Sequence, residues 1–218
     1  MRYFDEQTLA FLRELKRHND REWFTANKAR YEESVKEPLL QFIADVGPKL
    51  RAINPNLVAD PRPAGGSMFR IYRDVRFSKD KSPYKPYASA HFPMGKGVHG
   101  PGYYLHIAPA DSMMAGGMWM PEPPDLQRIR ERIAERPAEW KKARRDLDDD
   151  EGALKRPPRG FSPDDPMIED IKRKSFTSSI RLTDEQIQGD DLMRRFIRGC
   201  ERLSPLMRFL ASSVGVSW

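Results

Sequence analysis

Six cationic side chains, Arg70, Arg73, Arg76, Lys79, Lys81 and Lys85, fall within one short stretch, SMFRIYRDVRFSKDKSPYKPY, at residues 67–87. Asp74 and Asp80 stand between them, and Tyr72, Tyr84 and Tyr87 are interleaved. Arginine offers a planar fork that matches phosphate or carboxylate, and lysine adds a mobile point charge, so the chemistry these types suit is anion binding. On a continuous strand Arg70 and Arg76 share a face and Arg73 takes the other. A bulge or turn near Asp74 is therefore needed to bring the three together, while Lys79, Lys81 and Lys85 can close over a ligand from the following turn. The tyrosines can stack on a base or sugar or bond to a phosphate. This mixture also suits single-stranded nucleic acid, although no RNA- or DNA-binding signature accompanies it. The structural alternative is a solvated hairpin in which Asp74 and Asp80 neutralise their own arginines.

The charge is local. Between positions 67 and 100 there are seven Lys or Arg against two Asp, a net of +5. The whole chain carries 38 against 32, so the remainder holds 31 against 30 and is almost neutral. Charge concentrated in this way implies an anionic partner more than a generally sticky surface does.

Catalytic constellations are weaker. Asp74 and Asp80 can act as a base or hold a magnesium ion while lysines stabilise phosphate charge. They lie six residues apart with no third ligand, so no metal site is assigned. His18, His91, His99 and His106 show no metal spacing. His91 and His106 fall on neighbouring expected strands and can face each other, which keeps a histidine acid–base site open beside the plainer role of sheet residues. Ser67, Ser78 and Ser82 lack a nucleophile-elbow context, and GKGVHGPG at 95–102 lacks the spacing of a phosphate loop. In GGMWMP, Gly116 and Gly117 can admit a ligand to the backbone with Trp119 as an apolar wall, or can relieve crowding where a sheet twists beneath a helix. Arg156 and Arg159 of RPPRGF are further anion contacts or loop charges. Cys200 is the lone cysteine, so neither an internal disulfide nor a cysteine-rich zinc site is available, and on a helix it reads as a small buried hydrophobe.

The elements that must position these residues are legible from periodicity. Asp5 caps a first helix with Leu9, Leu12 and Leu15 on one face, and Asn19–Asp20 ends it and caps a second from Arg21. Trp23 and Phe24 read as core. Pro38 suits the first turn of a helix carrying Leu39, Phe42, Ile43, Val46 and Leu50, with Pro48 bending or shortening it. Residues 67–72 open as a strand with Phe69 and Ile71 on one face, and 87–92, 103–108 and 113–120 alternate as further strands. Their short connections predict antiparallel pairing. Pro123–Pro124 starts a helix with Ile129 and Ile133 inward and Arg128, Arg130 and Arg132 outward, and Pro137 restarts it. The acidic run 146–151 reads as a frayed end or solvated turn. Residues 176–182 add a strand, Thr183 caps a short helix, and Asp190 or Asp191 caps the last. At 218 residues, with no repeat, linker, apolar membrane span or leader pattern, the expectation is a single cytoplasmic α+β domain over 1–218. It has N-terminal helices, a central, mostly antiparallel sheet of about four or five strands, and C-terminal helices.

Five segments, FLRELKRHNDREWFTANKARYEE, FRIYRDVRFSKDKSPYK, GGMWMP, the turn from Arg128 to Ile133, and RPPRGF, together resemble the family called domain of unknown function 2461. The resemblance covers nearly the whole chain. It implies one soluble domain and carries no activity, cofactor or catalytic residue.

The functional expectation therefore rests on the residues: a soluble domain binding a phosphorylated or polycarboxylate ligand through Arg70, Arg73, Asp74, Arg76, Lys79, Asp80, Lys81, Tyr84 and Lys85, with Trp119 as a further contact, and without cofactor, metal or membrane. The alternatives are an enzyme acting on a phosphate ester through Asp74 or Asp80, and a protein-interaction module that presents the basic hairpin. Oligomeric state is left open.

Overall fold

Antiparallel strands linked by short connections form the centre of the computed structural model, which describes residues 1–95 and 100–218. Strands β1 (Ala88–Pro93), β2 (Gly102–Ile107), β3 (Ser112–Met118) and β4 (Phe176–Leu182) lie in the order β1-β2-β3-β4, each antiparallel to the next. Before them come α1 (Glu6–Arg17), α2 (Arg21–Ala26), α3 (Lys28–Tyr31), a π-helical turn (Glu32–Lys36) and α4 (Glu37–Ile53). Helices α5 (Pro123–Glu135), α6 (Pro137–Ala143) and α7 (Ile168–Ile171) are inserted between β3 and β4, and α8 (Asp184–Gln188) and α9 (Leu192–Ser213) follow. The class is α+β, as the alternation of patterns predicts. The four-residue piece 96–99 of the glycine-rich connection, with His99, lies outside the described residues.

Local chemistry sets the helix ends. The Asp5 carboxylate accepts from the backbone N–H of Gln7 and Thr8, satisfying two donors that the first turn leaves open. Asp20 does the same for α2 through Trp23, and Thr183 for α8 through Gln186. Asp191 stands before α9 without a side-chain cap, and its carboxylate pairs instead with Arg194 and Arg195. Pro48 does not shorten α4, which continues to Ile53. The Thr8 hydroxyl donates to the Ser34 carbonyl at 2.7 Å and so ties α1 to the π-helical turn.

One face of the sheet is core. Ala88, Ala90 and Phe92 of β1, Tyr103, Leu105 and Ile107 of β2, and Met114 of β3 are buried beneath α4 and α9. Helix α9 passes so close to β3 that a side chain at Gly199 would collide with the Met114 sulfur. This first cluster includes the N-terminal helices. A second cluster gathers Met118, Ile129, Ile133, Trp140, Ile171 and Phe176 against the later part of α9, with Trp140 Nε1 donating to the Asp170 carboxylate at 2.8 Å.

Three sequence expectations are corrected. Phe69 and Ile71 do not share a face: Ile71 is buried and Phe69 is exposed, because the register of 67–73 against the chain leading into and along β1 shifts between the bridges Met68↔Ala90 and Tyr72↔Tyr84. Arg130 does not point outward. It is buried against the second core and donates to the Arg173 carbonyl at 3.0 Å, because the apolar stripe of α5 is wide enough to take it in. The acidic run is not merely a solvated turn. Asp148 N–H bonds to the Thr177 carbonyl, and the Asp148 carboxylate accepts from the Ser179 amide and hydroxyl, so the segment protects the free edge of β4. Among the described residues no helix is long and apolar enough to cross a membrane.

Candidate functional site

The basic stretch is a hairpin arm that extends β1. Backbone bonds from His91 to Ser67, Phe69 to Ser89, Lys85 to Ile71 and Arg73 to Pro83, all 2.8–2.9 Å, hold its two limbs together. Asn19 pins it to the helical layer: its side-chain amide donates to the Tyr84 carbonyl and accepts from the Tyr84 amide, both at 3.0 Å, as a neighbouring strand would. The Tyr84 ring stacks on Phe24 with centroids 4.1 Å apart. Tyr84 is therefore a buried anchor, while Tyr72 is exposed beside it.

The arm's cations divide into two sets. Arg73 is ion-paired to Asp80, whose carboxylate also accepts from the Ser82 amide and hydroxyl. Arg76 forks onto Asp74 through Nε and Nη2 at 3.0 and 2.6 Å. The Arg76 guanidinium holds the Asp74 carboxyl down to about 2, and Ser82, then Arg73, keep Asp80 well below the usual carboxylate range. Lys81 donates to the Val75 carbonyl at 3.0 Å, and Lys79 is exposed. Lys85 differs. Its ammonium donates to the Arg70 carbonyl at 3.1 Å and lies over the Phe69 ring, and no described carboxylate pairs with either Lys85 or Arg70. Partial burial and then the Arg70 charge push the Lys85 pKa below its ordinary value. Asp74 feels the Arg70 charge but is bonded to Arg76, so two like charges lie side by side with no acid bonded to either, a place where an anion is favoured.

Next to this corner lies the sheet face opposite the helices. Tyr87 leads into it, and the register puts Ser89 opposite His106 and His91 opposite Tyr104 on that face. His91 and His106 thus share a face as diagonal neighbours. The closer pair is Tyr104 with His106, whose hydroxyl and Nδ1 are 3.0 Å apart. The Tyr87 ring lies 4.3 Å from that of His106. Burial pushes His106 below the usual histidine pKa, with Asp111 opposing and Arg181 assisting, and burial raises the Tyr104 phenol. Sequence reasoning did not nominate Tyr104. The alternation of 103–108 carries the signal, because it puts Tyr104 and His106 on one face.

Trp119 is placed elsewhere. It follows the end of β3 that pairs with the start of β2, whereas the arm joins the start of β1, which pairs with the end of β2. Exposed Trp119 lines a cleft with Met120, Asp149, Glu151 and Lys174 at the opposite end of the sheet. At Gly117, φ is +142° and a side chain would strike the Phe176 carbonyl, so this glycine serves the close approach of β4. Arg156 and Arg159 are exposed loop residues, and Cys200 is buried, its thiol pushed up by desolvation. Among the described residues no group of three or more His, Cys, Asp or Glu is arranged to hold a metal ion.

No curated protein and no solved structure matches the chain. A family model does, and it spans residues 7–209, taking in α1, the basic arm, the sheet and nearly all of α9. On that coverage the chain belongs to the family described as a conserved hypothetical protein, domain of unknown function 2461.

Proposed function

We propose that this chain is a binding domain for an anionic, phosphate-bearing ligand, and that within the basic arm Arg70 and Lys85 do the gripping. The observation that carries the reading is their juxtaposition with no described carboxylate ion-paired to either, in a segment where Arg73 and Arg76 each have one. A ligand phosphate would supply the missing counter-charge, and the partial burial of Lys85 strengthens that attraction by limiting solvent screening. Asp74 and Asp80 serve to hold the tip of the arm in shape. Their depressed pKa values suit ion pairing and make them poor general bases near neutrality, which weighs against the phosphate-ester enzyme. A cytoplasmic location belongs to the same proposal, on the strength of the lone buried Cys200.

The test is thermal unfolding against inorganic phosphate, pyrophosphate and polyphosphate. A ligand at a hundred times its dissociation constant adds about 2.7 kcal/mol of stability. The expected result is a saturable rise in Tm, lost in Arg70→Ala/Lys85→Ala and retained in Arg76→Ala. Equal loss in all variants would reduce the effect to general charge, and no rise with any anion would refute the reading.

A further inference from the structure

We propose that the ligand is single-stranded nucleic acid, with bases stacked along a row of partly exposed rings on the sheet face opposite the helices and phosphates held at the Arg70–Lys85 corner. The inference rests on the anion-binding reading above and adds a second observation, a continuous row of rings. Tyr87 and His106 have centroids 4.3 Å apart, His106 and Tyr104 6.0 Å, Tyr104 and Phe69 6.2 Å, and Phe69 and His91 6.4 Å. The row runs from Tyr87 through β2 to Phe69 of the arm and ends at His91 of β1, on the face opposite α9, and Phe69 lies 5.5 Å below the Lys85 ammonium.

Phe69 is exposed and the other four rings are half-buried, so each keeps some surface in solvent. Here they adjoin two cations to which no described carboxylate is ion-paired, and the combination selects the occupant. Bases offer flat π-faces to such rings whatever their sequence, and each is joined to a phosphate within reach of a flanking cation. Peptides lack that regular charge, and a duplex hides its base faces inside the stack. A row of rings drawn from two strands and the arm is longer than one base, which favours a strand over a mononucleotide. Depression of its pKa favours the neutral His106 ring, which is able to stack, and Nδ1 faces the Tyr104 hydroxyl.

Fluorescence anisotropy on the full chain tests this with labelled oligo-U and oligo-dT of about 12 nucleotides. The same-length duplex and inorganic polyphosphate serve as competitors. Single strands should bind, and Phe69→Ala and Tyr104→Ala should each weaken them about tenfold while Tyr104→Phe retains binding. Arg70→Ala/Lys85→Ala should flatten the dependence of log K on log salt by about 0.7 per cation. Phe69 is 38% exposed, so its variant leaves the fold intact even if Tyr104→Ala does not. Equal binding of duplex would overturn the inference. So would ring variants that leave oligonucleotide affinity unchanged while polyphosphate still competes through Arg70 and Lys85, and in that case anion binding survives. Binding of neither polymer would sink both.

Discussion

His106 is held neutral by its surroundings, and this has a measurable consequence for stability. In the unfolded chain it titrates near 6.5, while burial beside Tyr87 and Tyr104 depresses the folded value against the pull of Asp111 and with the help of Arg181. Between the two values the unfolded chain holds more protons, so this contribution to stability is complete above 6.5 and is lost as pH falls through the lower, folded pKa. Tm should therefore fall between about pH 7.5 and about pH 5.5, before the carboxylates begin to titrate. His106→Gln should show a smaller fall. An unchanged fall in the variant would show that the effect does not arise at His106.

At the scale of elements, the arm depends on one side chain from another layer. Asn19 closes two hydrogen bonds on the Tyr84 backbone, next to the bond by which Lys85 joins Ile71. Removing it in Asn19→Ala leaves a donor and an acceptor of Tyr84 unsatisfied, a cost of about 1–3 kcal/mol. That is a drop of roughly 2–12 °C in Tm for a chain of this size. The same variant should weaken anion binding more than Arg76→Ala does, because the limb that carries Lys85 loses its fixed position. Calorimetry with and without pyrophosphate separates the two effects. If affinity is unchanged while Tm falls, Asn19 supports the fold alone.

The described residues of the molecule form two apolar clusters, and α9 belongs to both. Phe196, Cys200, Leu203 and Met207 face the first, and Leu206, Phe209 and Leu210 the second. A helix shared in this way couples them, so unfolding should be one transition, with far-ultraviolet circular dichroism and tryptophan fluorescence coincident. Trp140→Ala empties the largest buried site of the second cluster and should cost about 3–5 kcal/mol, lowering the midpoint of both signals together. Two separated transitions, only one of them moved by the variant, would divide the chain into two units.

Much of this was readable along the chain, because helix caps, helix stripes and strand alternation are local. Asp5, Asp20 and Thr183 cap as their positions predict, and 176–182 is a strand with the predicted limits. The concentration of positive charge at 70–85 needed only counting. Pairing across the chain could not be counted. Arg73 and Arg76 look like Arg70 in sequence, and only the folded tip gives the first two their carboxylates and leaves Arg70 beside Lys85. Tyr84, read as a ligand contact, became an anchor because Asn19 and Phe24, about sixty residues earlier, come to lie against it. The row from Tyr87 to His91 likewise exists only once strand register and the arm's pairing along β1 set five rings side by side. Periodicity is written into neighbouring residues; proximity between distant ones is settled by packing.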